Sequence, residues 1–175
     1  MEMRAVLARC TAHGATFGGI RGGSPELTPA DVAHGVGRVR DPVGRDLVLM
    51  LWADHAELEP AVTRGLLLRV AYLAADNGWR VRQPGTLRGL IRAVLTEMRV
   101  PRHCGRCNGS GTRAGKPCTG CLGEGGRPYT DRMRARAGGL AWETFRDWAG
   151  RYADVYAVIE GCERAAIKDI RRALT

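Results

Sequence analysis

Four of the six cysteines stand in two copies of one unit, Cys-x-x-Cys-x-Gly-x-Gly, running from Cys104 to Gly125 with ten residues between the inner cysteines. Zinc takes four soft or borderline ligands in a tetrahedron, and a Cys-x-x-Cys turn holds two thiolates about 3.5–4 Å apart, so two such turns complete one site. Cys104, Cys107, Cys118 and Cys121 therefore form the expected ligand set for a single Zn2+. Gly109, Gly111, Gly123 and Gly125 permit positive φ, which lets the backbone curl round a metal and turn N–H groups toward sulfur. Four thiolates close the coordination shell, so the expected role is structural rather than catalytic. His103 adjoins the set as a solvent-facing neighbour, and Cys10 and Cys162 lack partners at metal spacing, Cys162 falling on an apolar helix face.

No other constellation points to catalysis. The histidines, at 13, 34, 55 and 103, are scattered, no phosphate-loop signature is present, and most acidic residues fall on polar helix faces. The expectation is a protein that is not an enzyme.

Charge placement indicates a partner. Between Arg80 and Arg136 stand 13 Lys and Arg against 3 Asp and Glu, a net of +10, while the whole chain carries +9. Of the 27 basic residues 25 are Arg; its planar fork suits phosphate oxygens and guanine edges. A GC-rich coding sequence is the competing reading of the Arg-to-Lys ratio, but it does not explain the clustering. The segment "DRMRARAGGLAWETFRDWAG", residues 131–150, fits a helix-turn-helix template: Gly139 as turn glycine, Ala135 four before it, and Leu140, Phe145 and Trp148 facing inward. Trp142, Glu143, Thr144 and Arg146 then lie on the outer part of the second helix, and Arg132, Arg134, Arg136 and Arg151 flank it. With Arg113 and Lys116 from the cysteine loops, these form the expected surface for double-stranded DNA. A plain helical hairpin with a solvated basic face is the competing reading.

The elements that position these groups read as all-α: a compact helical domain with an inserted four-cysteine zinc knuckle and a helix-turn-helix. Residues 1–26, glycine-rich and aperiodic, read as a flexible arm. Thr28 reads as an N-cap before Pro29, with Val32, Val36 and Val39 on one face; a second helix is expected from Pro42 to about Leu58. Val62, Leu66, Val70 and Leu73 mark a third helix stopped at Gly78, and Leu87 to Met98 a fourth ended by Pro101. The expected divisions are a helical body over 27–102, the knuckle over 103–128, the helix-turn-helix over 129–151 and a separate C-terminal helix over 152–175. The longest apolar run, Leu47 to Ala53, is too short to span a bilayer, so a cytoplasmic protein without membrane contact is expected, its thiols reduced.

In order of parts the chain resembles the lambda-type Q antitermination proteins of bacteriophages. The resemblance runs from about Leu27 to the C-terminus through "LTPADVAHGVG", "AYLAADNG", the paired cysteine units, "AWETFRDW" and "IEGCERAAIKDIRRAL". It implies a protein that binds promoter-proximal DNA, loads onto paused bacterial RNA polymerase, with its sigma factor as a further candidate partner, and permits readthrough of terminators. The loop between cysteine pairs is shorter here than in the lambda protein, so contacts made by that loop do not carry over, and the N-terminal arm has no clear counterpart. Two alternatives stand beside it. One is a zinc-containing DNA-binding regulator that does not travel with polymerase. The other is a J-protein-like peptide-binding module, a family that repeats the same cysteine unit, normally in four copies around two zinc ions with an apolar groove.

Overall fold

The structure, a computed structural model, describes residues 29–99 and 104–174. The arm over 1–26, the cap at Thr28, the stop at Pro101, and Cys10 and His103 lie outside the described residues. Among the described residues the regular elements are helices apart from one 3-10 turn and a minimal hairpin, and the chain divides into two units: described residues up to Leu73 with those from Ala157 onward, and Ala74–Tyr156.

In the first unit α1, Pro29–Gly37, buries Val32 and Val36, and Val39 follows them into a cluster with Val48, Ala166 and Ile170. Asp41 opens α2, Pro42–Trp52: its carboxylate accepts from the N–H groups of Val43 and Gly44, and Pro42 occupies the first turn, where no N–H is needed. The same carboxylate accepts from the Arg69 guanidinium at 2.6 Å, and Arg69 also donates to Cys162 Sγ at 2.8 Å. Trp52 Nε1 donates to Glu163 Oε1 at 2.9 Å. The second helix stops six residues short of the expected Leu58. Asp54 turns left-handed at φ 54, and Ala56–Leu58 forms a separate 3-10 turn; apolar spacing alone does not register such a break. Helix α3, Glu59–Asp76, buries Val62, Leu66 and Val70 completely and ends at Gly78, φ 62, with Trp79 N–H bonded to Ala74 O and Gly78 N–H to Ala75 O.

The second unit is organised by α4, Pro84–Arg99, against α5, Asp131–Gly138. Leu87, Leu90, Ile91, Val94 and Leu95 form its buried face. The two helices meet backbone to backbone at Gly89 and Gly138, where a Cβ on Gly138 would collide with the carbonyl oxygen of Gly89; the Leu140 side chain fills the space beside Gly89, 2.5 Å from where its Cβ would lie. Chain order placed α4 in the helical body, whereas this contact groups it with α5 and the cysteine segment.

The expected break between residues 151 and 152 is absent. Helix α6 runs unbroken over Trp142–Ala173, 32 residues, contributing its first part to one unit and its remainder to the other. Glycine in a helix interior costs about 1 kcal/mol relative to alanine. Phe145, Trp148, Tyr152, Val155 and Ile159 keep one buried stripe across Gly150, and burial of each large apolar side chain contributes about 1.5–3 kcal/mol. The stripe outweighs the glycine.

Candidate metal centre and basic helical hairpin

The cysteine segment is built from two copies of one turn. In the first, Cys107 N–H and Gly109 N–H bond to Cys104 O and Ser110 N–H to Cys107 O; in the second, Cys121 and Gly123 bond to Cys118 O and Glu124 to Cys121 O. The backbone twists likewise in both: Asn108 and Leu122 stand at φ 52 and 53, Gly109 and Gly123 at 84 and 91, Gly111 and Gly125 at 73 and 76. The copies are joined reciprocally, Cys104 N–H to Gly125 O at 2.7 Å and Cys118 N–H to Gly111 O at 2.8 Å. A Cβ on Gly111 would run into Gly123 O, and one on Gly125 into Gly109 O, so these two positions need glycine for space as well as for φ.

This closure gathers four buried thiols with all Sγ atoms within 4.8 Å of one another. Cys104 and Cys118 stand 3.9 Å apart, Cys107 and Cys121 3.7 Å. Zinc–thiolate bonds of about 2.3 Å in a tetrahedron require edges of about 3.8 Å, so the donor set fits such an ion. Gly125 N–H donates to Cys121 Sγ at 3.2 Å. The Arg106 N–H draws the Cys104 thiol down to about 6, while burial pushes Cys121 up to about 11. A two-residue hairpin links the copies, β1 Thr112–Arg113 with β2 Lys116–Pro117 in antiparallel register, turning through Ala114 and Gly115 at φ 51 and 73. The all-α expectation missed this hairpin because two residues are too few for any alternation to show.

The other expected site residues lie on α5, α6 and this hairpin. Gly139 is left-handed at φ 65, with its own N–H bonded to Arg136 O and that of Leu140 to Ala135 O; Ala135, Phe145 and Trp148 are buried. Arg113, Lys116, Arg132, Arg136, Glu143 and Arg146 are exposed. Arg132 lies over the half-buried Trp142 at 5.5 Å, and Thr144 is half-buried. Arg151 lies against both Trp148 and Trp79, 4.8 and 5.9 Å from the ring centroids, the two indoles meeting each other edge to face.

Arg134 departs from the expected set. Glu97 accepts from its Nε at 2.9 Å and from its terminal nitrogen at 3.0 Å, Asp131 accepts from the other nitrogen, and its guanidinium lies over Tyr152 at 4.7 Å. Tyr152 O–H donates to Glu97 at 2.8 Å. The Glu97 bond raises the Arg134 pKa, and burial followed by the Glu97 bond raises that of Tyr152. Arg134 thus ties α4 to α5 and α6. Sequence reading missed Glu97 and Trp79 as members of this cluster. The acidic residue among the arginines of α4 and α5 was the available signal for Glu97; Trp79 follows a helix stop and carried none.

No protein-family model and no solved structure matches the chain. The chain is similar to chaperone protein DnaJ 2 of Mycobacterium leprae, 31% identical over 114 residues, covering 58% of this chain and 28% of that protein. It is also similar to chaperone protein DnaJ 2 of Mycobacterium tuberculosis, 30% identical over 132 residues, covering 68% of this chain and 31% of that protein. The chain thus spans under a third of the curated relatives it matches. These likenesses lean toward the J-protein-like alternative and carry nothing on antitermination. Among the described residues no helix is long and apolar enough to cross a membrane.

Proposed function

We propose that the chain is a zinc-braced, DNA-binding helical protein that acts on bacterial RNA polymerase as a transcription antitermination factor of the type it resembles. The supporting observation is the α5–α6 hairpin, whose inward positions are filled while Arg132, Arg136, Glu143 and Arg146 are exposed on its outside. One zinc ion held by Cys104, Cys107, Cys118 and Cys121 supplies a structural tie between the two halves of the knuckle. Exposed arginines neutralise phosphates, giving salt-sensitive and hence reversible attachment. In a purified transcription assay the protein raises readthrough only on templates carrying its binding element; equal readthrough without the element refutes the reading.

A second reading is a J-protein-like zinc module that holds peptides. The mycobacterial DnaJ 2 similarity favours it, and so does Leu122, 86% exposed on the knuckle. Against it stand two cysteine units rather than four, and Arg106, Arg113 and Lys116 on the knuckle surface. Salt separates the two: neutralising about six phosphates gives a slope of log K against log salt near −5, whereas peptide capture through Leu122 stays nearly flat and falls on Leu122→Ser.

A further inference from the structure

The DNA surface assigned above draws on α5, α6 and the knuckle hairpin. Helix α4 carries two further exposed arginines. Arg88 and Arg92 lie one residue before and three after Gly89, the point where α4 touches the backbone of α5 at Gly138. Because no side chain separates the helices there, residues flanking the contact are carried close to α5. Arg92 reaches its end: its terminal nitrogen is 3.9 Å from where a Cβ on Gly139 would lie, beside the left-handed turn that starts α6.

Both arginines are exposed, and among the described residues neither takes part in an ion pair. The acidic residue of α4, Glu97, is turned inward and engaged by Arg134 and Tyr152. Arg88 and Arg92 are four residues apart, as are Arg132 and Arg136 on α5, a spacing of about 6 Å along each helix. Exposed arginine pairs therefore stand on both helices of a glycine–glycine crossing, while Glu97 is engaged by Arg134 and Tyr152 and Asp131 by Arg134.

We infer that Arg88 and Arg92 are phosphate contacts of the same DNA-binding surface, making α4 its third helix. The inference rests on the DNA reading above. The competing structural role is that Arg92 serves only the C-terminal carbonyls of α5, where a cation is favourable. That role affects unfolding and leaves the salt dependence of binding unchanged.

The test is duplex binding by the full-length, zinc-loaded protein across a salt series, with short mixed-sequence DNA as the probe and thermal unfolding measured in parallel. Arg88→Gln with Arg92→Gln keeps the aliphatic stems and helix propensity, and the slope of log K against log salt should become shallower by about 2, close to one unit per lost contact. Arg88→Lys with Arg92→Lys should restore it, since phosphate accepts lysine as a point charge. Arg64→Gln, an exposed arginine on α3, should leave it unchanged. An unchanged slope in the glutamine pair, or an equal change in Arg64→Gln, overturns the inference while leaving the DNA reading standing. Wild-type protein that retains no duplex at any salt overturns both.

Discussion

Gly138→Ala tests the packing on which the basic surface depends. In most helices the change from glycine to alanine stabilises, because alanine loses less conformational entropy, by about 1 kcal/mol in a helix interior. Gly138 is the last residue of α5, where that gain is smaller, and the added Cβ meets the carbonyl oxygen of Gly89, its carbonyl carbon at 3.0 Å and Ala93 Cβ at 3.4 Å. The first two are backbone atoms of α4 and cannot rotate away. Overpacking of this kind costs about 1–3 kcal/mol, so a net loss of about 1–2 kcal/mol is expected. For a chain of this length that is a fall in Tm of roughly 2–8 °C. Gly150→Ala is the internal control: Gly150 lies inside α6 with nothing within 4 Å of an added Cβ, so only the propensity gain of about 0.5–1 kcal/mol remains. The same chemical change should carry opposite signs at the two positions, read by thermal or urea unfolding. Gly138→Ala as stable as wild type would show that α4 and α5 do not meet backbone to backbone.

Three further outcomes follow from the same geometry. Cys107→Ser should abolish stoichiometric zinc, measured by metal analysis after gel filtration; wild-type protein purified with zinc supplied and found metal-free would refute the site. Glu97→Ala strips Arg134 and Tyr152 of their shared acceptor and should cost about 2–4 kcal/mol, with Glu97→Gln losing visibly less by urea unfolding. The Tyr152 phenol titrates above its usual 10.0 in the folded chain, so its contribution to stability is complete below about pH 10 and falls as pH rises beyond it. Alkaline unfolding of Tyr152→Phe should show a weaker dependence over that window.

Helix existence was legible where an apolar stripe met a chemical stop. Val62, Leu66 and Val70 with Gly78 placed α3, Leu87 to Leu95 placed most of α4, and Gly139 placed the α5–α6 turn. The four-cysteine cluster was legible because its spacing encodes the turn itself. The misses come from tertiary context. Asp54 turns left-handed just after α2, a conformation that aspartate permits but does not dictate, and α6 passes Gly150 because its buried stripe continues on both sides. Arg134 read as one more surface cation among its neighbours; only the approach of α4 supplies Glu97 and takes it inside. Trp79 reaches Trp148 and Arg151 from a distant part of the chain, beyond the reach of local periodicity.

The reciprocal bonds of the knuckle make its two halves partners rather than neighbours. Cys104 with Gly125 and Cys118 with Gly111 cross from one half to the other, as does the ligand set, whereas the covalent link passes only through the exposed hairpin at Ala114 and Gly115. A single proteolytic nick at that tip should leave the metal-loaded fragments associated, with the ion and the crossed amides doing the work of the peptide bond. Removing the metal from the same nicked protein with a chelator should free the cut ends of the knuckle, while the packing of α4 on α5 and the Val48–Ile170 cluster still hold the fragments together. Topologically the knuckle is a dimer of two short turns that share one chain.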